Sequence, residues 1–577
     1  MSSSQLPAVE QELVAQVSGD TLIEYTRQIA QWVRISGSED ESKAFAYVAD
    51  VCRSFGMRVE QHQADALVSW PGPATLEVLA PERRSFPCIT HSFAVPTPPG
   101  GIEGEVVDER DASSDALRGK IVISDGLANP GKGMAHEAAG VLAQINVNDR
   151  YVHEMIISPV WGSPTPQTAH LLPNLVSISV NEADGAELRR LAASGTLRVR
   201  ITAEVDTRWR QIPVLTAEIS GQEDRFVLFS GHIDSWHYGA MDNGTANATM
   251  LEVARLLSAR QGQLRRGMRL AFWSGHSHAR YSGSTWYADQ FWPELHARCV
   301  GHVNVDSVGG IGATILSEGN SMAETVGFAG RAIKEIAGQE LEYKRFGRAG
   351  DQSFNGIGLP AMFMSLSGQP ADGPSSAVEE QMARLLGGGR GRSGGLGWWW
   401  HTTEDTMDKI DRDFLVRDAS IYALTLWRLC TEAILPFDYG ATANELLGVL
   451  HDLANIAGDR LDLSALAAEA AALLADTERL RAACAAAGDE TRIAALNNCI
   501  IALGRALTPI NYTASGEYEH DLALPAQPIP ALQPVRQLAT LDPASDEAHL
   551  LRIQLGRARN RVWHGLHRAR AAIAAVV

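Results

Sequence analysis

GHIDSWHYGAMDN, residues 231–243, follows directly on the apolar run RFVLFS (225–230), and this junction decides the fold. A short aromatic and branched run that breaks into a polar, glycine-bearing segment reads as a strand whose carboxyl end opens into a loop. In that loop His232 offers an imidazole and Asp242 a carboxylate, while Asp234 stands where it can orient the histidine ring. The same grammar recurs downstream. VGHVNV (300–305) leads to Asp306 in NVDSVGG, RLAFW (269–273) leads into SGHSHARYSGS (274–284), and WWW (398–400) precedes His401 in HTTEDTMDKID.

These runs predict strands at Val214–Ile219, Arg225–Phe229, Arg269–Trp273 and Val300–Val305, alternating with helices such as Ala246–Ser258 and Ser284–Phe291. Such alternation predicts an α/β fold with a mostly parallel sheet flanked by helices. Ligands of such sheets sit at the carboxyl ends of the strands, where these polar segments fall. Imidazole with carboxylate is a donor set suited to zinc.

Working outward, Thr21–Met57 is patterned as helix, with Gly56 as the cap of the helix over Ser42–Phe55, and Arg58–Ala80 alternates as a strand. Prolines 81, 87, 96, 98 and 99 mark a crossing into another unit. Residues 104–205 repeat strand, helix and strand: GKIVISDG, a helix ending at Ala138–Gly140, VLAQINVND, LPNLVSISV and DGAELRRLAASG. From about Phe437 long helices take over, at Ala441–Ile456, Leu463–Ala487, Glu490–Ala506 and Asp546–Ala575, with a proline-rich link at Leu522–Pro534. We therefore expect units at 1–97, 98–210, 211–436 and 437–577; 577 residues exceed what one core holds.

A net charge of −18 disfavours nucleic acid as a partner and suits a small peptide or amide substrate. Six cysteines without CxxC spacing read as reduced thiols of a cytoplasmic protein. The first twenty residues contain Glu and Gln where a secretory signal needs an apolar run. No uninterrupted apolar stretch long enough for a membrane span is expected.

The ordered set His232-Ile233-Asp234, Gly239-Ala240-Met241-Asp242-Asn243, Gly283-Ser284, Asn304-Val305-Asp306 and His401-Thr402-Thr403-Glu404-Asp405 resembles the zinc aminopeptidase and glutamate carboxypeptidase family. The segment 98–210 resembles a protease-associated domain, and the tail resembles the dimerisation region of the glutamate carboxypeptidase and transferrin receptor branch. The resemblance implies a zinc-exopeptidase fold, one or two zinc ions, a peptide or amide substrate and a homodimer. It also implies His232, Asp242, His278, Asp306 and His401 as metal ligands, with Asp234 in the catalytic machinery. Gly350-Asp351-Gln352-Ser353-Phe354 matches a further aspartate segment of that family.

The match fails at the family's adjacent glutamates. Counting back from Gly283, their positions hold Ser277 and His278. His278 retains a metal-binding nitrogen, whereas the hydroxyl of Ser277 does not accept a proton near neutral pH. His276 is the expected proton carrier, with Asp351 and Glu404 as fallbacks; His237 and His302 are expected to be structural. Alternatives are a catalytically silent partner-binding homologue, a transferase or cyclase on the same fold, and a nucleophilic triad on Ser277, which lacks the G-x-S-x-G setting. Trp398, Trp399 and Trp400, beside the glycine-rich stretch Gly387–Gly397, wall an apolar pocket or serve packing. Tyr518 is expected near the pocket, and Glu517 beside it speaks against acidic substrates.

Overall fold

The computed structural model describes residues 6–348, 350–370, 376–385 and 393–577; part of the glycine-rich stretch Gly387–Gly397 lies outside them. The strand predicted at Arg58–Ala80 spans those residues and lies antiparallel to a second long strand, Arg198–Ile219. This pair is the spine of a 12-stranded sheet. Beyond the lower half of Arg198–Ile219 come Gly267–Trp273, Phe226–His232, Cys299–Asn304 and Ala361–Met362, the last four mutually parallel. Beyond its upper half come Ile102–Asp108, Ile121–Asp125, Ala143–Val147 and Val176–Val180, also mutually parallel. The two groups have separate apolar cores, one around Val227, Phe229, Leu270 and Val303, the other around Ile121, Ile145, Ile178 and Val199.

Local chemistry sets the helix boundaries. Ser38 caps the helix Glu39–Ser54 through its hydroxyl, and Gly56 follows at φ 78°. Asn129 caps Pro130–Ala139, with proline at the first turn and Gly140 left-handed at its end. Asp411 receives two N–H groups at the start of the 20-residue helix Arg412–Thr431, which is buried along most of its length against the sheet.

The tail folds as helices Tyr439–Ala457, Ser464–Ala485, Glu490–Tyr512 and Asp546–Ala574, close to the expected spans. Glu490–Tyr512 runs two turns further than expected because Pro509 sits inside it without ending it. By length and composition this helix could cross a bilayer, although Asn497, Asn498 and Arg505 interrupt its apolar run, and 72% of the relevant window is buried inside the protein. It packs on Asp546–Ala574 and on the sheet-side core, which accounts for its apolarity.

Candidate metal centre and adjoining pocket

Three parallel strands in register bring the polar segments to one edge. Trp273 lies opposite His232 and Asn304 opposite Ser230, so His232, the 274–281 loop and Asp306 emerge side by side. Asp242 is returned to the same place by the loop 233–241, which Arg34 holds from below. Its buried guanidinium donates to the carbonyls of Ile233 (2.7 Å), Tyr238 (2.8 Å) and Gly239 (3.0 Å). From the other side the Asp405 carboxylate accepts the N–H groups of Met241 (2.8 Å) and Asp242 (2.9 Å). Burial pushes the Asp405 carboxyl up to about 7, against the pull of those two donors.

His232 Nδ1 donates to the Asp234 carbonyl (2.8 Å), which leaves Nε2 facing Asp242 Oδ1 at 3.2 Å and Asp306 Oδ2 at 3.6 Å. The other Asp242 oxygen faces His401 Nε2 at 3.0 Å. His401, in the left-handed region at φ 59°, is fixed by a two-way clasp: its Nδ1 donates to the Glu154 carbonyl (2.7 Å), and the Glu154 N–H donates to its carbonyl (2.9 Å). The His276 ring stacks on His232 at 3.8 Å, and its Nδ1 pairs with Asp351 Oδ2 at 2.9 Å. One ligand atom from each of His232, His276 and Asp306 lies within 4.8 Å of the other two.

This donor set fits a divalent cation. His232 Nε2 is buried and has no hydrogen-bond partner, although two carboxylates lie close to it. Burial works against charge on that imidazole, yet Asp306 and Asp242 overcome it and hold its pKa well above the ordinary range. The carboxylates thus draw in a proton where a cation is the natural counter-charge. Each candidate histidine also has its second nitrogen occupied by an oxygen acceptor, which fixes the tautomer and aims the free nitrogen inward. In Asp351, burial is outweighed by His276, and the carboxyl stays below its usual range.

The structure gathers His232, Asp242, Asp306, His401 and His276, and sets His278 apart. The Nδ1 of His278 lies 3.1 Å from the Ser36 hydroxyl, and its ring packs 4.1 Å from Trp236. Burial lowers its pKa to about 3. Counting back from Gly283 misses the turn at Arg280 (φ 44°) and Tyr281 (φ 69°), which brings His276 to the cluster instead. Asp234 accepts from Ser277 N–H (2.8 Å) and the Ser36 hydroxyl (2.7 Å), so its carboxylate braces the 276–277 loop. Among the described residues the buried Ser277 hydroxyl has no hydrogen-bond partner, so no histidine is hydrogen-bonded to it. Glu404 is exposed, while its neighbour Asp405 is the buried brace. His302 pairs with Ser230 inside the sheet (2.8 Å), and His237 Nε2 lies 3.7 Å from Glu154. The sequence reading gave no role to Arg34, Asp405 or Glu154; a lone arginine after a helix carries no pattern that announces a clamp.

A pocket opens on the cluster. Asp242, His276, Asp306 and His401 form its polar end, with Met155, Ile156, Met364, Met382, Leu396 and Trp400 as apolar wall and Arg280 and Tyr281 alongside. Trp400 stacks on His401 at 3.5 Å, whereas Trp399 is buried with its Nε1 on the Met241 sulfur and Trp398 stacks on Tyr151. One tryptophan of the three therefore lines the pocket. Tyr518 is 69% exposed and packs on Trp292, away from it. The tail instead reaches the pocket wall at Ala523, which packs with Trp161 and Tyr281.

The sheet order and the donor cluster define an α/β protein whose strand ends gather histidines and carboxylates that could hold a cation. Residues 215–425 match the profile of Peptidase family M28, so the chain carries a domain of that family. It is 23% identical over 513 residues to a probable glutamate carboxypeptidase of Zea mays, covering 73% of this chain and 68% of the relative. It is 23% identical over 297 residues to carboxypeptidase Q of Xenopus laevis, covering 47% of this chain and 60% of that protein. Among solved structures, a zinc aminopeptidase of Bacillus subtilis superposes with a TM-score of 0.55 at 18% identity, covering 72% of this chain and 96% of that one. Over these residues the chain is thus related to peptidases of that family, and it has the fold of the zinc exopeptidases.

Proposed function

We propose that this protein is a zinc-dependent hydrolase of peptide or related amide bonds. We propose further that His232, Asp242, Asp306 and His276 hold one zinc ion, and that a second position is furnished by Asp242 and His401 alone. The observation that carries this reading is the buried, unpartnered Nε2 of His232 facing two carboxylates with His276 in reach. Bound zinc would supply Lewis acidity toward an amide carbonyl and toward water. The chain's own residues do the positioning. Asp351 keeps the proton on His276 Nδ1, Asp234 fixes the backbone at 276–277, and the apolar wall with Trp400 excludes solvent from the reacting end.

Segment 275–278 contains no carboxylate. A site without a glutamate base is expected to turn over about 10²- to 10⁴-fold more slowly than one that has it. That absence also favours a second reading, metal binding without turnover. The two are separated by screening zinc-replete protein on aminoacyl, dipeptide and N-acyl amino acid substrates, with His232→Ala as the blank. Hydrolysis lost in the blank supports the first reading; bound zinc with no hydrolysis across the panel supports the second.

The insert at 98–210 is proposed as a protease-associated domain. The helical tail is proposed as a homodimer surface, a reading supported by Leu550, Ile553 and Trp563 exposed along one helix. A cytoplasmic setting is supported by six unpaired cysteines. Analytical ultracentrifugation tests the dimer; a monomer at micromolar concentration refutes it.

A further inference from the structure

Arg280 lies on the wall of the same pocket as His276, Asp242, Asp306 and His401, and it is 7% exposed. Its Nε donates to the Ser158 carbonyl (2.8 Å) and its Nη2 points to the Ile156 carbonyl (3.4 Å). With a further hydrogen bond to the Tyr281 side chain, that accounts for three of the five donors of a guanidinium. Its neighbouring polar side chain is Tyr281, and among the described residues no carboxylate pairs with it. Among the described residues Arg348 and Arg505 are likewise buried on backbone carbonyls without a carboxylate partner, but neither lines this pocket. Arg269 pairs with Glu218 and Glu294, Arg428 with Glu10 and Glu335, and Arg34 is used up on backbone carbonyls.

What sets Arg280 apart is that a buried cation without a counter-charge, with donors to spare, stands on the wall of the pocket that holds the cluster. The backbone is also costly at this point. Arg280 and Tyr281 are consecutive non-glycine residues in the left-handed region, at φ 44° and 69°, and this turn presents both side chains to the pocket. A plain structural role, tying down 156–158, would be served by an arginine anywhere on that segment and does not require one on the pocket wall. The planar fork of a guanidinium matches a carboxylate.

We propose that Arg280 receives a carboxylate of the substrate. The pocket then takes a peptide or N-acyl amino acid whose free terminal carboxylate sits on Arg280 and whose apolar side chain lies among Met155, Met364 and Trp400. The scissile amide thereby points to the cluster of His232, Asp306 and His276. This assignment rests on the hydrolase reading given above for the same pocket, and it selects carboxypeptidase-type over aminopeptidase-type substrates.

The test is equilibrium binding, which does not depend on turnover. Zinc-replete full-length protein is titrated calorimetrically with N-acetyl-L-leucine and with N-acetyl-L-leucinamide. The acid is expected to bind about 10- to 100-fold more tightly than the amide, the worth of one charged hydrogen-bonded pair. Arg280→Met should erase that difference and Arg280→Lys should keep part of it, with thermal melts establishing that each variant is folded. Equal binding of acid and amide, no binding of the acid, or a preference that survives Arg280→Met overturns the proposal. The wild-type comparison decides the matter even where Arg280→Met does not fold. Hydrolysis without any preference for a free carboxylate would sink this assignment and leave the hydrolase reading standing.

Discussion

Asp351→Asn probes the metal centre through a residue that does not itself face the cluster of carboxylates. His276 Nδ1 and Asp351 Oδ2 are 2.9 Å apart, and the same carboxylate accepts the Ser284 hydroxyl at 2.8 Å. Asparagine keeps the shape and one acceptor oxygen but removes the charge, and an ionised acceptor makes a hydrogen bond roughly twice as strong as a neutral one. If His276 is a ligand, its Nε2 becomes less basic and less well oriented, and zinc affinity should fall about 10- to 100-fold. That corresponds to about 1.4 to 2.8 kcal/mol. Metal-free stability at neutral pH should fall too, because a carboxyl held below its usual range by His276 and Ser284 stabilises the folded chain in its ionised form. The assay is competition for zinc between the protein and a chromophoric chelator, with bound metal counted by plasma emission and metal-free unfolding followed by circular dichroism. Wild-type protein should hold one tight equivalent. Affinity within twofold of wild type in Asp351→Asn, or two tight equivalents in wild type, refutes the assignment of His276 and the single full site.

Three further outcomes follow from the geometry. His276→Ala should lose tight zinc binding, whereas His278→Ala should keep it, since His276 and not His278 stands with His232 and Asp306 in the cluster; metal counts on the two purified variants check this. Arg34→Met leaves the carbonyls of Ile233, Tyr238 and Gly239 unpaired and should cost about 3 to 5 kcal/mol in urea unfolding, with weaker zinc binding. Glu324 is buried against Thr442, and burial raises its carboxyl from 4.5 to about 7. Between those values the folded state holds a proton that the unfolded state has lost, so stability falls by about 3 kcal/mol as pH rises from 4.5 to 7 and then levels off. Glu324→Gln should remove that fall, making the variant more stable relative to wild type at pH 8 than at pH 5. Parallel urea melts with the same difference at both values would contradict it.

What was legible in the sequence was the set of strand ends, and what was not was the path of the loops between them. Alternation located Arg58–Ala80, which is only partly buried, and continuous apolar runs located the parallel strands, which are buried on both faces. His232, Asp242 and Asp306 followed, since residues at aligned strand ends converge whatever lies between. The 274–284 loop resisted because its length in space depends on backbone angles, and nothing in SGHSHARYSGS declares that Arg280 and Tyr281 turn left-handed. A count of residues assigns the inward position to His278; the turn gives it to His276. The braces were hidden for a different reason. Arg34 and Asp405 act across 199 and 163 residues of chain, and a partner at such a distance leaves no local pattern. The departure from the paired glutamates therefore has two halves. Its existence could be read from residue types alone, but its chemical meaning, an imidazole held by an aspartate in place of a carboxylate, required knowing that Asp351 stands behind His276.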